Sequence, residues 1–315
     1  YTLKKVYNRP QFFNKPRGNS SREILNYSFA IKNPIERICY INARKTNIIF
    51  NFAEVIWYLS GSNALDFIGY YASNMKKYSL NGKTLTGTAY GTKIFAFGKN
   101  RINQWDKIKN VLEEDKDSKR AFIEIFSAEE NLNLNNIDVS CTIGMQFFNR
   151  ENKLYMCTFM RANDAYRGMV SDVFSFTFIQ ELLANELNLD LGDYYHNVSS
   201  IHIYKSDNKS VEKILTEDIS LQTDNQYNFP KMPKKDNWKD LNTIIKYEQL
   251  LRTGKISLSC EEIEVMNIDN YWKQILVLFS FYQKVYYGKK IDLSLYKMLL
   301  PVYKCLVKCK WGSLF

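Results

Sequence analysis

Cys141 stands in Ser140-Cys141-Thr142-Ile143-Gly144-Met145-Gln146, at the head of a stretch with strand-like apolar residues. Twenty residues downstream a polar cluster, Arg161-Ala162-Asn163-Asp164-Ala165-Tyr166-Arg167-Gly168, interrupts two apolar segments. The thiolate is the nucleophilic form of cysteine, so a guanidinium folded against Cys141 would supply it. A small buried core cysteine is the plainer reading of the same residue, and both stand at this point. Two carboxylates share this character. Glu54 is the one acid in the apolar segment Asn47 to Leu59, and Asp172 directly precedes the apolar run Val173 to Leu187. By its position immediately before Val173, Asp172 reads as a helix N-cap.

Positioning these residues requires a mixed set of elements. Asn47 to Leu59 is apolar nearly all round and reads as a buried helix ending at Ser60-Gly61. Met145 to Phe148 and Leu154 to Phe159 flank the polar turn Asn149-Arg150-Glu151-Asn152 and read as a hairpin. The spacing of apolar residues after Asp172 predicts a long buried helix from Val173, and Ser200 to Tyr204 reads as a strand. The first fifty residues alternate like strands around a breaker-rich loop, Lys15 to Arg22, while Asn81-Gly82 and Gly87 to Gly91 read as turns. Lys119 to Phe126 is rich in strand formers, and helical patterns cover 268–287 and 291–308. The mixture predicts an α+β fold whose sheet comes mainly from the middle third.

Composition narrows the field. Hydrophobic residues make up 45% and charged residues 24% of the 315, which excludes a disordered chain. The apolar runs fall short of the ~18–20 residues needed to cross a bilayer, and the N-terminus lacks a secretory apolar block, so a cytoplasmic protein is expected. A net charge of +10 favours an anionic partner, but its scatter gives little support to nucleic acid. Six irregularly spaced cysteines point to free thiols in a reducing compartment, and two histidines argue against a metal centre.

Taken in chain order, Arg17-Gly18, Glu54 with Leu59-Ser60-Gly61, Tyr90-Gly91, Lys119-Arg120, Cys141-x4-Gln146, Arg161-x2-Asp164-x3-Gly168-x3-Asp172 and His202-x-Tyr204 resemble the thymidylate synthase superfamily over roughly residues 15–205. The resemblance implies a large mixed sheet flanked by helices, with sheets packed back to back in a homodimer. It implies one domain over 1–315, with 1–14 an N-terminal extension and about 206–315 a divergent C-terminal portion. Its substrates would be a pyrimidine nucleoside monophosphate and 5,10-methylenetetrahydrofolate, with no metal. Cys141 would add to C6 of the pyrimidine, and Glu54 and Tyr90 would manage water and protons. Arg17 and Arg161 would hold the phosphate, joined across the dimer by Lys119 and Arg120. Gln146 would shape the nucleotide pocket, His202 and Tyr204 would meet sugar hydroxyls, and Asp164 and Gly168 would meet the folate.

Departures from the family pattern sharpen the expectation. Uracil-specific members carry Asn where this chain has Asp172. A carboxylate accepts from the N4 amino group of cytosine, which points to a cytidylate. No Trp stands near Lys76 or Tyr78, where the family covers the reacting carbon. A wetter pocket would favour water addition and a 5-hydroxymethyl product. Ala162 replaces a common serine and Lys119 an arginine, which leans towards CMP over dCMP, and Thr142 in place of a histidine fits a member that does not handle dUMP. The expected activity is therefore that of a CMP or dCMP 5-hydroxymethylase. The rivals are a reductive methylase and a non-catalytic nucleotide- or nucleic-acid-binding protein on the same fold. The end of the chain, Lys308 to Phe315, is assigned no role.

Overall fold

Strand signals scattered over the first two hundred residues converge in one sheet. The computed structural model describes residues 1–217, 228–291 and 293–314. Its N-terminal third runs α1 (Thr2–Asn8), β1 (Phe12–Asn14), β2 (Ser21–Ile31), α2 (Ile48–Leu59), α3 (Leu65–Tyr71), α4 (Tyr90–Phe95) and α5 (Gln104–Glu114). The middle supplies β3 (Phe122–Glu124), β4 (Thr142–Arg150), β5 (Lys153–Met160), β6 (Asn163–Asp164), α6 (Met169–Glu186) and β7 (Asp190–Tyr204). Thereafter come α7 (Asn208–Thr216), α8 (Trp238–Arg252), α9 (Cys260–Glu264), α10 (Asn270–Tyr286), α11 (Leu293–Met298) and α12 (Pro301–Trp311). The seven strands lie in the order β1-β2-β7-β5-β4-β3, with β6 beside β7. β5 and β6 run parallel to β7 and the other pairs are antiparallel. The α+β class expected from the sequence is the class observed.

Local chemistry explains the two elements that matter most. Asn47 caps α2, its side chain accepting from the Phe50 amide at 3.1 Å. Between β4 and β5, Glu151 and Asn152 both take positive φ (52° and 59°), the two-residue hairpin turn whose twist matches its strands. Other expectations are corrected. Residues 2–8 form a helix rather than a strand, because Val6 is drawn fully into the core. Strand β1, within the stretch expected as an N-terminal extension, pairs with β2 at the edge of the sheet. Tyr90-Gly91 opens helix α4 instead of closing a turn, and a Cβ on Gly91 would collide with the Tyr58 carbonyl of α2. Helix α6 begins four residues before Val173, with Gly168 as its N-cap, so Asp172 lies inside the first turn and is not the cap.

Helices α2 and α6 pack together within one continuous apolar core that extends from Val6 to Val307. The C-terminal helices close this layer from outside. Tyr303 of α12 meets Phe52 of α2 edge-on at 5.8 Å, and Trp272 of α10 meets Phe178 of α6 at 6.1 Å. On the opposite sheet face Gln146, Cys157 and Tyr195 stand in register across β4, β5 and β7, half-buried, beside Phe159 and Tyr155. Phe122 and Ile143 are exposed by 37% and 38% near this row. Among the described residues no helix is long and apolar enough to cross a membrane, and no three His, Cys, Asp or Glu side chains gather as a metal would require.

Candidate active site

The nucleophile candidate sits where β4 leaves a clamped loop. Asp138 is buried and takes the amides of Thr86, Gly87 and Thr88 at 2.7, 2.9 and 2.9 Å. Glu130, also buried, pairs with Lys93 at 2.7 Å and accepts from the Ser140 amide and hydroxyl at 2.7 and 3.0 Å. The Ser140 hydroxyl also reaches the Gly87 carbonyl at 2.7 Å. These bonds tie residues 86–88 to 138–140 and hold Cys141 between them. Charge-assisted bonds of this kind are the stronger ones, so the thiol is carried on a rigid mount.

Cys141 is half-buried, with its Sγ 3.8 Å from Arg161 Nη2. Arg161 is itself fixed: Nε donates to the Ser140 carbonyl at 2.8 Å and Nη2 to the Val139 carbonyl at 2.9 Å. Burial pushes the thiol upward, and the guanidinium groups of Arg161 and Arg17 pull it back. Arg17 adopts a left-handed conformation (φ 48°, ψ 37°) in the turn before Gly18, a costly state for a side chain other than glycine. That turn places its charge close enough to act on both Cys141 and Tyr204.

Two acids meet across the helix pair. Glu54 accepts from Ser175 at 3.0 Å, and one turn earlier Asn51 accepts from Ser171 at 3.0 Å, so α2 and α6 are laced by two polar rungs. Burial pushes Glu54 up to about 8, with the neighbouring Asp172 charge adding to it. Asp172 accepts from Asn163 Nδ2 at 2.6 Å and is raised by burial to about 7. Gly168 leaves room for this bond, since a Cβ there would lie 3.2 Å from Asp172 Oδ2. Tyr90 stacks on Tyr58 at 4.9 Å, and its hydroxyl accepts from Thr142 Oγ1 at 3.1 Å. Burial, then Cys141 and Asp172, hold this phenol well above its ordinary range.

The acids bear on stability. Their folded values lie above the ordinary 4.5 and 3.8, so the folded chain binds more protons than the unfolded one between about pH 4 and 8. Their contribution to stability is therefore fullest at low pH within this window and is lost as pH rises through about 8. Glu54→Gln removes its own share of this loss. We expect it to raise the thermal midpoint by several degrees at pH 8 and to change it little at pH 5, measured by melting at both pH values.

A second polar group adjoins the first. Asp164 Oδ1 accepts the amides of Tyr166 and Arg167 at 2.9 and 2.8 Å, while its Oδ2 is buried without a hydrogen-bond partner, 4.0 Å from Arg167 Nε. His202 lies opposite Asp164 in the β6–β7 register and packs against Tyr204 at 5.0 Å. The Arg167 guanidinium covers the Tyr204 ring at 5.5 Å, with Tyr78 near enough to act on both. Beside this group a cleft of about 440 Å³ runs between Arg44, Asn51, Tyr71, Asn74, Arg167 and Ser171.

Of the residues read from the sequence, the fold thus brings together Cys141, Arg161, Arg17, Tyr90, Glu54, Asp172, Asp164, Gly168, His202 and Tyr204. Three stand elsewhere in the single chain. Lys119 and Arg120 are exposed just before edge strand β3, and the Gln146 amide donates to the Lys119 carbonyl at 2.8 Å. Phe315 lies outside the described residues. Sequence reasoning missed Asp138, Glu130, Asn163 and Ser175. Asp138 and Ser175 work through partners far along the chain, while the nearer partners of Glu130 and Asn163, ten and nine residues on, lie across loop and strand boundaries.

The family profile described as Thymidylate synthase matches residues 2–250, past both ends of the 15–205 stretch spanned by the motifs. A protein of Bacillus phage SP01 named deoxyuridylate hydroxymethyltransferase is 29% identical over 224 residues, covering 66% of this chain and 58% of that one. Its namesake from Delftia phage PhiW-14 is 32% identical over 211 residues, 63% of this chain and 57% of the relative. A thymidylate synthase of Francisella philomiragia is 23% identical over 195 residues, 58% of this chain and 71% of the relative. The matched region thus spans under three fifths of the length of either phage relative.

Proposed function

The chain belongs to the thymidylate synthase family, and from that premise we propose that it is a one-carbon transferase making the 5-hydroxymethyl derivative of CMP or dCMP. The observation that carries the proposal is the thiol of Cys141 held 3.8 Å from a fixed guanidinium, within electrostatic reach of Tyr90 and Asp172, while Asp172 also acts on Glu54. In this reading the Cys141 thiolate adds to C6 of the pyrimidine, and the displaced electron pair makes C5 nucleophilic. Arg161 and Arg17 hold the phosphate. Lys119 and Arg120 reach it from the other subunit of a homodimer built on the half-buried aromatic sheet face. His202 and Tyr204 border the nucleotide, while Gln146 lies with the proposed dimer face.

When bound, 5,10-methylenetetrahydrofolate supplies the one-carbon unit. The residues beside the cleft fit such a group. Asp164 Oδ2 and Asn51 Nδ2 are buried polar atoms without hydrogen-bond partners in the protein, suited to a heterocycle rich in donors and acceptors. Glu54, raised to about 8, is protonated at neutral pH and is able to deliver a proton and take one back. Tyr78, a hydroxyl-bearing residue near Tyr204, supports water entry over its exclusion. No metal is assigned.

For the base, Asp172 supports cytosine. Its Oδ2 already accepts from Asn163, so an ionised Oδ1 offers an acceptor to the N4 amino group. The names of the phage relatives support a second reading, deoxyuridylate, for which Asp172 would have to donate a proton to O4. Incubation with CMP, dCMP, UMP and dUMP plus methylenetetrahydrofolate decides among them by product mass. We expect cytidylate to gain the mass of CH2O with no dihydrofolate absorbance. A gain of CH2 with dihydrofolate formed marks a reductive methylase, and turnover of uridylates alone overturns the base assignment. No turnover, with steeply salt-dependent binding of long nucleic acid, overturns the enzyme reading altogether.

A further inference from the structure

Behind Asp172 lies a chain of buried polar groups that the chemistry above does not use. Thr158 Oγ1 is 2.8 Å from the Tyr194 hydroxyl, which is 2.7 Å from His196 Nδ1. His196 Nε2 is 3.1 Å from Asn163 Oδ1, and Asn163 Nδ2 is 2.6 Å from Asp172 Oδ2. Thr158, Tyr194 and His196 are fully buried and Asn163 nearly so. Strand pairing builds the line: Thr158 of β5 lies beside His196 of β7 in the parallel register, and Asn163 follows on β6 along the same strand.

Proton counting gives the line a direction. Burial drives the imidazole of His196 down to about 3, so the ring is neutral and carries one N–H. Asn163 turns its amide nitrogen to the carboxylate, which leaves its carbonyl oxygen facing Nε2 and places the ring proton there. Nδ1 is then an acceptor and receives the Tyr194 hydroxyl. The Thr158 hydroxyl, which donates to the Tyr195 carbonyl at 3.3 Å, ends the line. From Tyr194 onward every donor points toward Asp172.

We propose that His196, acting through Asn163, is a positioning residue for base recognition: it fixes Asp172 Oδ2 as an acceptor and leaves Oδ1 as the carboxyl atom presented to the pyrimidine. This assignment rests on the reading that Asp172 meets the base. The reverse order of the same groups is also self-consistent. With the proton on Nδ1, Asn163 would turn its carbonyl to Asp172, and Asp172 would donate from Oδ2. The two orders present different edges to a nucleotide, so the ring proton of His196 bears on specificity from a site that never touches substrate.

The test has one arm that needs no turnover. The chain has only two histidines, so nitrogen NMR of the labelled protein assigns His196 by loss of its signals in the variants. We expect the Nε2–H form, unprotonated throughout pH 5–8. Protonation of Nδ1, or a ring that titrates near its ordinary value, overturns the proposal whether or not the protein proves to be a nucleotide enzyme. In the second arm, His196→Leu removes the donor and His196→Gln restores an N–H and an acceptor. We expect His196→Leu to lower the ratio of cytidylate to uridylate kcat/KM by about tenfold, and His196→Gln to keep it within about threefold. An equal loss on every nucleotide in His196→Leu marks a merely structural residue and overturns the proposal. Absence of turnover in the parent chain counts against the functional reading instead, and the NMR arm still decides the order of the protons.

Discussion

Cys141→Ala is expected to lower folate-dependent turnover by about 10⁴-fold or more, while nucleotide binding changes by less than about tenfold. The thiol is proposed to form the bond that makes C5 reactive, and alanine has no group to replace it. The change is small in every other respect. Cys141 is half-buried, its side chain packs against the core, its carbonyl accepts from the Arg161 amide at 2.9 Å, and the Glu130 and Asp138 clamps grip neighbouring residues. Arg161 keeps its bonds to the Val139 and Ser140 carbonyls, so the phosphate side of the pocket should survive. Product mass read against calorimetric binding of the nucleotide separates the two effects. Retention of more than a hundredth of parental turnover would remove Cys141 from the chemistry.

Asp172→Asn is expected to shift the ratio of uridylate to cytidylate kcat/KM by about 10²-fold or more in favour of uridylate. The argument depends on Asn163. Its Nδ2 donates to the residue at 172, so an amide introduced there turns its oxygen to Asn163 and its nitrogen to the substrate. An N–H facing O4 of uracil is paired, whereas the same N–H facing the N4 amino group of cytosine is opposed and leaves two buried donors unsatisfied. The amide also carries no charge at any pH, so the electrostatic pressure on Glu54 falls and its carboxyl moves back toward the ordinary range. Competition between CMP and UMP, and between dCMP and dUMP, in one reaction gives the ratio directly. An unchanged ratio would mean that the residue at 172 does not read the base.

Some of this was written legibly in the sequence and some was not. Helix α2 was readable because its residues are apolar all round and Asn47 caps it. The hairpin was readable because Glu151 and Asn152 must both turn left-handed between apolar runs. Helix α6 was read four residues short, since its N-cap, Gly168, makes no side-chain cap and Met169 to Ser171 resemble a loop. Helix α8 went unrecognised because Asp240 and Glu248 are buried on its apolar face, which breaks the periodic signal. The site followed the same division. Cys141, Arg161, Glu54, Tyr90 and Asp172 were visible through residue type and order. Asp138, Ser175 and His196 matter through contacts between distant segments, and Glu130 and Asn163 through pairings that residue type alone does not reveal.

Helix α2 has a consequence that reaches beyond the cleft. Its inner side presents Glu54, and its other side leans on Phe229 and Tyr303, both from the stretch that carries none of the family motifs. An acid held near 8 by dryness is only as dry as the wall behind it. Substitutions in that remote wall would admit water or exclude it, and so move the Glu54 carboxyl down or up while every residue lining the pocket stays the same.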